Sequence, residues 1–268
     1  MKSYYFLAGL PRTGNTVLSS ILNQNPIIHS SPLSPINQIM LDYEQAFNNE
    51  HVKRLNDKTG FNNIINKLLD NYYEDIKKPV IIDRQKSWGI LPNFNMIKNY
   101  VTPNPKIIFT TRPIIEILTS FINIMPKENS SIDLEMIQIE WTYKNYLSLN
   151  DNRCDYLMRA GGQIDRLLTT INTIQQNEEN FCLIKYDDTV NTPQEVMDKI
   201  YKFLELPNYK HNFNNIEKVE VDNDVMAGLP PNMHEIRPQL KKISQDPKEV
   251  LSEYVINKYS NIGWEGLW

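Results

Sequence analysis

At 268 residues, 41% of them hydrophobic, the chain is long enough to bury one sizeable core. A formal charge of −4 argues against a general binder of nucleic acid or anionic membrane, while leaving room for a local basic pocket. Hydrophobic runs are too short for a membrane span or a signal-peptide core, so the chain is read as cytoplasmic, and neither Cys154 and Cys182 nor the four histidines show metal-ligand spacing, so no metal is expected.

The aromatic and apolar run Tyr4 to Ala8 predicts a buried strand, which Gly9 to Gly14 turn into a loop. Val17, Leu18, Ile21 and Leu22 recur at helical spacing, and Asn25-Pro26 ends that helix. Ser30 to Pro35 reads as a loop, followed by helices over 36–47 and 61–73. Residues 79–82 form a short strand running into Asp83, and 106–111 another, with a helix over 114–121 behind Arg112-Pro113. Two long helices are expected over 132–147 and 156–176, a strand over 181–185, and a helix over 193–204 with Thr192 as N-cap and Glu195 three positions inside it. Strands alternating with helices imply right-handed crossovers and a mainly parallel sheet, hence an α/β fold. With no repeat and no linker, 1–268 reads as a single domain. Its polar segment 209–268 is irregular, either a cap over the site or a surface extension.

The most informative stretch is Gly9-Leu-Pro-Arg-Thr-Gly-Asn-Thr16, between the first strand and the first helix. Backbone N–H groups of such a turn, aided by the positive end of the helix, hold phosphate oxygens. Arg12 adds a charged fork, and Thr13 and Thr16 add hydroxyl donors. Both glycines and Thr16 fit the nucleoside-triphosphate loop G-x-x-x-x-G-K-[ST], but Asn15 stands where the lysine should be and the charge has moved to Arg12. Further on, Arg112 leaves a buried strand and Ser120 follows eight residues later, a spacing that suits a second anion site.

Pro11 to Thr16 resembles the P-[KR]-[ST]-G-[TS]-[TS] loop of sulfotransferases that use 3′-phosphoadenosine 5′-phosphosulfate (PAPS), at every position except Asn15. Its arginine is closer to the tyrosylprotein and other membrane-type branches than to the lysine-bearing soluble branch. Arg112, Glu116 and Ser120 fall on the family's R-x-P-x-[DE]-x-x-x-S segment, with the proline one place forward. Tyr186 matches a tyrosine that follows a strand and lies near the adenine, or it simply packs at the strand end. The resemblance implies a three-layer α/β fold of the P-loop nucleotide-hydrolase kind, with a central sheet flanked by helices. It implies PAPS as donor, adenosine 3′,5′-bisphosphate as product, and no metal. Cofactor binding then falls to Arg12, Thr13, Gly14, Asn15 and Thr16 at the 5′ end, to Arg112 and Ser120 at the 3′-phosphate, to Tyr186 at the base, and to Arg237 from the tail.

Sulfuryl transfer asks the protein to position two reactants and stabilise the leaving oxygen. Arg12 serves that role, together with either Arg84 or Lys86 after the strand over 79–82. Where the tyrosylprotein branch carries a glutamate base, the stretch His29 to Pro35 has no carboxylate. His29 is the nearest titratable group, with Asp83, Glu44 and His234 as other candidates. The acceptor is a hydroxyl or amine on a small molecule, sugar or peptide. Two rival readings are a P-loop kinase or triphosphatase with a degenerate loop, and a non-catalytic PAPS-binding relative.

Overall fold

The computed structural model describes residues 2–55, 57–126, 130–217, 236–242 and 245–263. Five strands, β1 (Ser3–Gly9), β2 (Ile28–Leu33), β3 (Val80–Arg84), β4 (Ile107–Thr111) and β5 (Phe181–Lys185), form one parallel sheet in the order β2-β3-β1-β4-β5. Alternation along the strands divides the core in two. Phe6, Ala8, Ile107 and Phe109 face one side, against Trp88, Phe94, Ile117 and Leu118. Leu7, Ile28, Ile82 and Ile108 face the other, against Leu18 and Ile21 of the first helix and Met197 and Ile200 of the helix Pro193–Leu204. Helices thus cover both faces of an all-parallel sheet, giving the expected three-layer, P-loop-like fold. No helix among the described residues is long and apolar enough to cross a membrane.

Several expected elements change at identifiable residues. Ser30 to Leu33 is not a loop but the end of edge strand β2, whose register against β3 shifts between Ser30 and Leu33. An edge strand tolerates Pro32, which has no N–H to give a second neighbour. The helix expected over 61–73 is two short ones, Lys58–Ile65 and Leu68–Tyr72. The one expected over 132–147 covers only Ser131–Gln138, because Glu140 adopts a left-handed φ of 53° and Trp141 N–H closes back on Met136 O at 2.8 Å. The 156–176 helix is three pieces. Ser148 and Asp151 form a capping box that starts the first, Leu149–Leu157, and Gly161-Gly162 separate it from Gln163–Leu168 and Thr170–Gln176. Thr192 does not cap its helix with its side chain; the preceding turn Tyr186–Asn191 runs straight into it, and the hydroxyl donates to Asp188 O instead, at 3.3 Å. The tail is less irregular than expected, for it contains helices Pro247–Val250 and Glu253–Tyr259.

The chain leaves β1 to build β2 and β3 on one side, then crosses to β4 on the other. Ligands of open α/β sheets bind at the carboxyl ends of the strands where the order reverses in this way. Here that crevice lies between β1 and β4.

Candidate active site

The loop leaving β1 meets the residues leaving β4 at this crevice. Gly9 has a φ of 149°, and a Cβ on it would stand 2.2 Å from Thr110 Oγ1 and 2.6 Å from Thr110 O, so only glycine permits this approach of β1 to β4. Gly14 takes a left-handed φ of 80° as N-cap of the helix Asn15–Leu22. Arg12 is left-handed as well, with a φ of 62°. A non-glycine residue held in this region by a tight loop is a feature of ligand clamps.

Around that loop three guanidinium groups converge. Arg12 Nε donates to Ser120 Oγ at 3.1 Å. Arg112, buried at the end of β4, donates from Nη1 to Arg12 O at 3.1 Å and from Nε to Glu116 Oε2 at 3.0 Å. Arg84, also buried, leaves β3 and donates from Nη1 to Thr16 Oγ1 at 2.8 Å. Ser120 is therefore bonded to Arg12, and Arg112 joins them through a backbone carbonyl. The two anion sites read from the sequence form one continuous patch. Tyr186 closes its flank: the Arg112 guanidinium lies 4.3 Å from the ring centre, and the ring edge stands 3.2 Å from where a Gly14 Cβ would be.

The other residues singled out by sequence are placed differently. The side chains of Thr13 and Asn15 turn into the loop rather than out of it; Thr13 Oγ1 lies 2.6 Å from both Leu10 O and Thr110 Oγ1, and Thr110 Oγ1 donates to Asn15 Oδ1 at 2.7 Å. Lys86 is half-buried at the start of a short 3₁₀ turn, Lys86–Gly89. Arg237 is exposed, on a segment tied back by Pro238 O, which accepts from Ile216 N at 2.8 Å. The same segment reaches the rim through Lys242, which pairs with Asp187 at 2.8 Å, beside Tyr186.

His29 does not reach the strand ends. It pairs with Ile81, three residues before Arg84, which places it about 10 Å down the sheet. Burial and the charge of Lys78 push its imidazole pKa below the ordinary value. Asp83 is completely buried and its carboxylate is engaged, accepting from Tyr73 OH at 2.5 Å and Trp88 Nε1 at 2.7 Å. Burial raises its pKa, and the hydrogen bonds oppose that shift. Glu44 accepts from Tyr100 OH at 3.1 Å, on the helix Ile36–Asn48. His234 lies outside the described residues. Thr110 joins Thr13 and Asn15 because β4 pairs with β1 and sets it against Gly9; the sequence marks it only as part of a Thr-Thr-Arg strand end.

The donor set suits a nucleotide that carries two phosphate groups. Arginines can grip phosphate oxygens in pairs, a helix N-terminus offers backbone N–H groups, and an aromatic ring lies alongside. The sulfotransferase family model matches residues 5–211. No curated protein matches the chain. Among solved structures, the sulfotransferase domain from the curacin biosynthetic pathway is 17% identical, with 99% of this chain and 93% of that one covered at a TM-score of 0.53. The sulfotransferase domain of the Synechococcus PCC 7002 olefin synthase is 15% identical, with 98% and 90% covered at 0.52. These likenesses are of fold, whereas the family model spans the loop, both arginine-bearing strand ends and Tyr186. The chain belongs to the sulfotransferase family.

Proposed function

We propose that the chain transfers a sulfuryl group from PAPS to a hydroxyl or amine of an acceptor, without a metal. The observation that carries this reading is the patch in which Arg12, Ser120, Arg112 and Tyr186 meet around Gly14. Arg112 and Ser120 hold the 3′-phosphate, Tyr186 flanks the base, and the loop amides with Arg12 hold the 5′ end. The donor supplies an activated sulfuryl group on a phosphate leaving group. Arg12 and Arg84 stand where negative charge collects as that phosphate departs, a contribution preorganised before reaction. Between Arg84 and Lys86, the contact with Thr16 favours Arg84. The acceptor then approaches from the β2 and β3 ends, and its reacting hydroxyl or amine belongs to a small molecule, a sugar or a peptide. Neither His29 nor Asp83 is assigned as base, since one stands below the strand ends and the other is enclosed.

A second reading, a nucleotide kinase, draws on the strand order and on Asp83 at the end of β3. Against it, Asp83 is engaged by Tyr73 and Trp88, and the Thr16 hydroxyl, a magnesium ligand in that class, meets a guanidinium. Calorimetric titration of the full chain with adenosine 3′,5′-bisphosphate, and separately with ATP and magnesium, decides between them. Binding of the bisphosphate alone is expected. Binding of ATP alone, or of neither, overturns the proposal.

A further inference from the structure

The loop departs from the family pattern at Asn15, and the structure gives that departure a role. Asn15 Nδ2 donates to Leu10 O and to Thr13 Oγ1, both at 3.2 Å, while Asn15 Oδ1 accepts from Thr110 Oγ1 at 2.7 Å. Thr13 Oγ1 and Thr110 Oγ1 complete the set, 2.6 Å apart. The three side chains form a closed ring of contacts: Thr110 O–H donates to Asn15 Oδ1, Asn15 N–H donates to Thr13 Oγ1, and the one Thr13 hydroxyl hydrogen is shared between Thr110 Oγ1 and Leu10 O, each 2.6 Å away. Each member both donates and accepts. A primary amide can do this with one hydrogen to spare for Leu10 O, whereas the Thr or Ser of the family pattern has a single hydrogen to give and the lysine of the triphosphate loop has no acceptor. Thr13 and Thr110 are each only 1% exposed and Asn15 is half-buried, so the hydrogen bond between the two hydroxyls is shielded from water and costly to break.

The geometry points to Thr110 as a positioning residue for the donor loop, acting through Asn15 and Thr13. The ring ties both sides of Arg12 to β4, through Leu10 before it and Thr13 and Asn15 after it. This fixes the left-handed backbone at Arg12 before any ligand arrives. A loop set in advance does not spend binding energy on ordering. It follows that the side chains of Asn15 and Thr13 are not ligands of the nucleotide, and that only their backbone N–H groups face it. Gly9 belongs to the same device, since it gives the Thr110 hydroxyl the space it occupies.

The inference rests on the PAPS reading, and its test separates the two. Thr110→Val keeps the shape and removes the hydroxyl, whereas Thr110→Ser keeps the hydroxyl. The Val variant is expected to weaken adenosine 3′,5′-bisphosphate binding roughly fivefold, as one lost buried hydrogen bond does, and the Ser variant to restore it. Asn15→Ala should weaken binding by a similar factor, and the double variant by no more than either alone, because one ring is broken once. Hydrogen exchange in the ligand-free protein should accelerate at the Arg12 to Gly14 amides in Thr110→Val, with the melting temperature held as control. Wild-type affinity and exchange in Thr110→Val, or additive losses in the double variant, overturn the positioning role. If the wild type does not bind the bisphosphate, the PAPS reading fails, while accelerated exchange would still support the lock.

Discussion

The two halves of the sheet treat their polar groups in opposite ways. On the β1, β4 and β5 side, Arg12, Arg112 and Tyr186 leave the strand ends and meet Ser120, from the helix Ile114–Ile124, at one loop. On the β2 and β3 side the strand-end polar groups are bonded inward. Asp83 is closed between Tyr73 and Trp88, Ser31 Oγ accepts from Arg84 N at 2.8 Å, and Gln85 Nε2 donates to Ser34 O at 3.1 Å. Arg84 crosses from the second half to the first, through Thr16. A cluster of like charges is costly to assemble unless counter-charge completes it; Glu116 supplies part of that charge to Arg112, and under the proposed function a bound anion supplies the rest. The second half is built to hold its own shape.

The comparison breaks most readily at Arg112. Arg112→Ala removes a charged fork from the patch and the support under Arg12 O. Adenosine 3′,5′-bisphosphate affinity is expected to fall about 100-fold, the scale of two charge-assisted hydrogen bonds, with little change in melting temperature. Calorimetry and thermal denaturation on the same sample check this. A large loss of stability at unchanged affinity would mean that Arg112 belongs to the scaffold.

Asp83 tests the other half with the opposite outcome. Asp83→Ala strands the buried Tyr73 hydroxyl and Trp88 indole N–H. It should cost about 2 kcal/mol of stability in a denaturant titration, while bisphosphate affinity stays within about twofold. Asp83→Asn, which keeps an acceptor, should cost less. Loss of affinity without loss of stability would move Asp83 into the site.

The same division explains what the sequence made legible. The anion half could be read because its signal is local: Gly14, Arg12 and Thr16 lie within five residues, and Arg112 with Ser120 repeats a known spacing. Strands β4 and β5 and the helix Pro193–Leu204 were legible because buried apolar runs and a proline mark their bounds. The inward roles of Thr13 and Asn15 were not, since they depend on Thr110, ninety-five residues from Asn15. The helix break at Glu140 was hidden for another reason: a left-handed glutamate leaves no glycine to announce it. Nor could residue type alone show that His29 lies below the site, because that follows from its register with Ile81.

The smallest expected effect concerns the histidines, and it tests whether pH acts on the scaffold or on the site. His211, buried against Tyr201 with its Nε2 2.8 Å from the hydroxyl, is pushed down to about 4, chiefly by burial. Unfolded histidine titrates near 6.5, so on acidification the unfolded chain takes up the proton first. Stability is therefore complete above about pH 6.5 and declines as the pH falls toward 4, by roughly 1 kcal/mol at pH 5.5. His29 is shifted the same way and adds to the slope in the same direction. Denaturant titrations between pH 7.5 and about 5.5 should show the decline, with His211→Gln removing most of it and His29→Gln a smaller part. Since His29 stands three residues below Arg84 in register, His29→Gln should leave bisphosphate affinity and its pH dependence unchanged. A binding profile that lost its acid limb in His29→Gln would place that imidazole in contact with the ligand and redraw the boundary between the two halves.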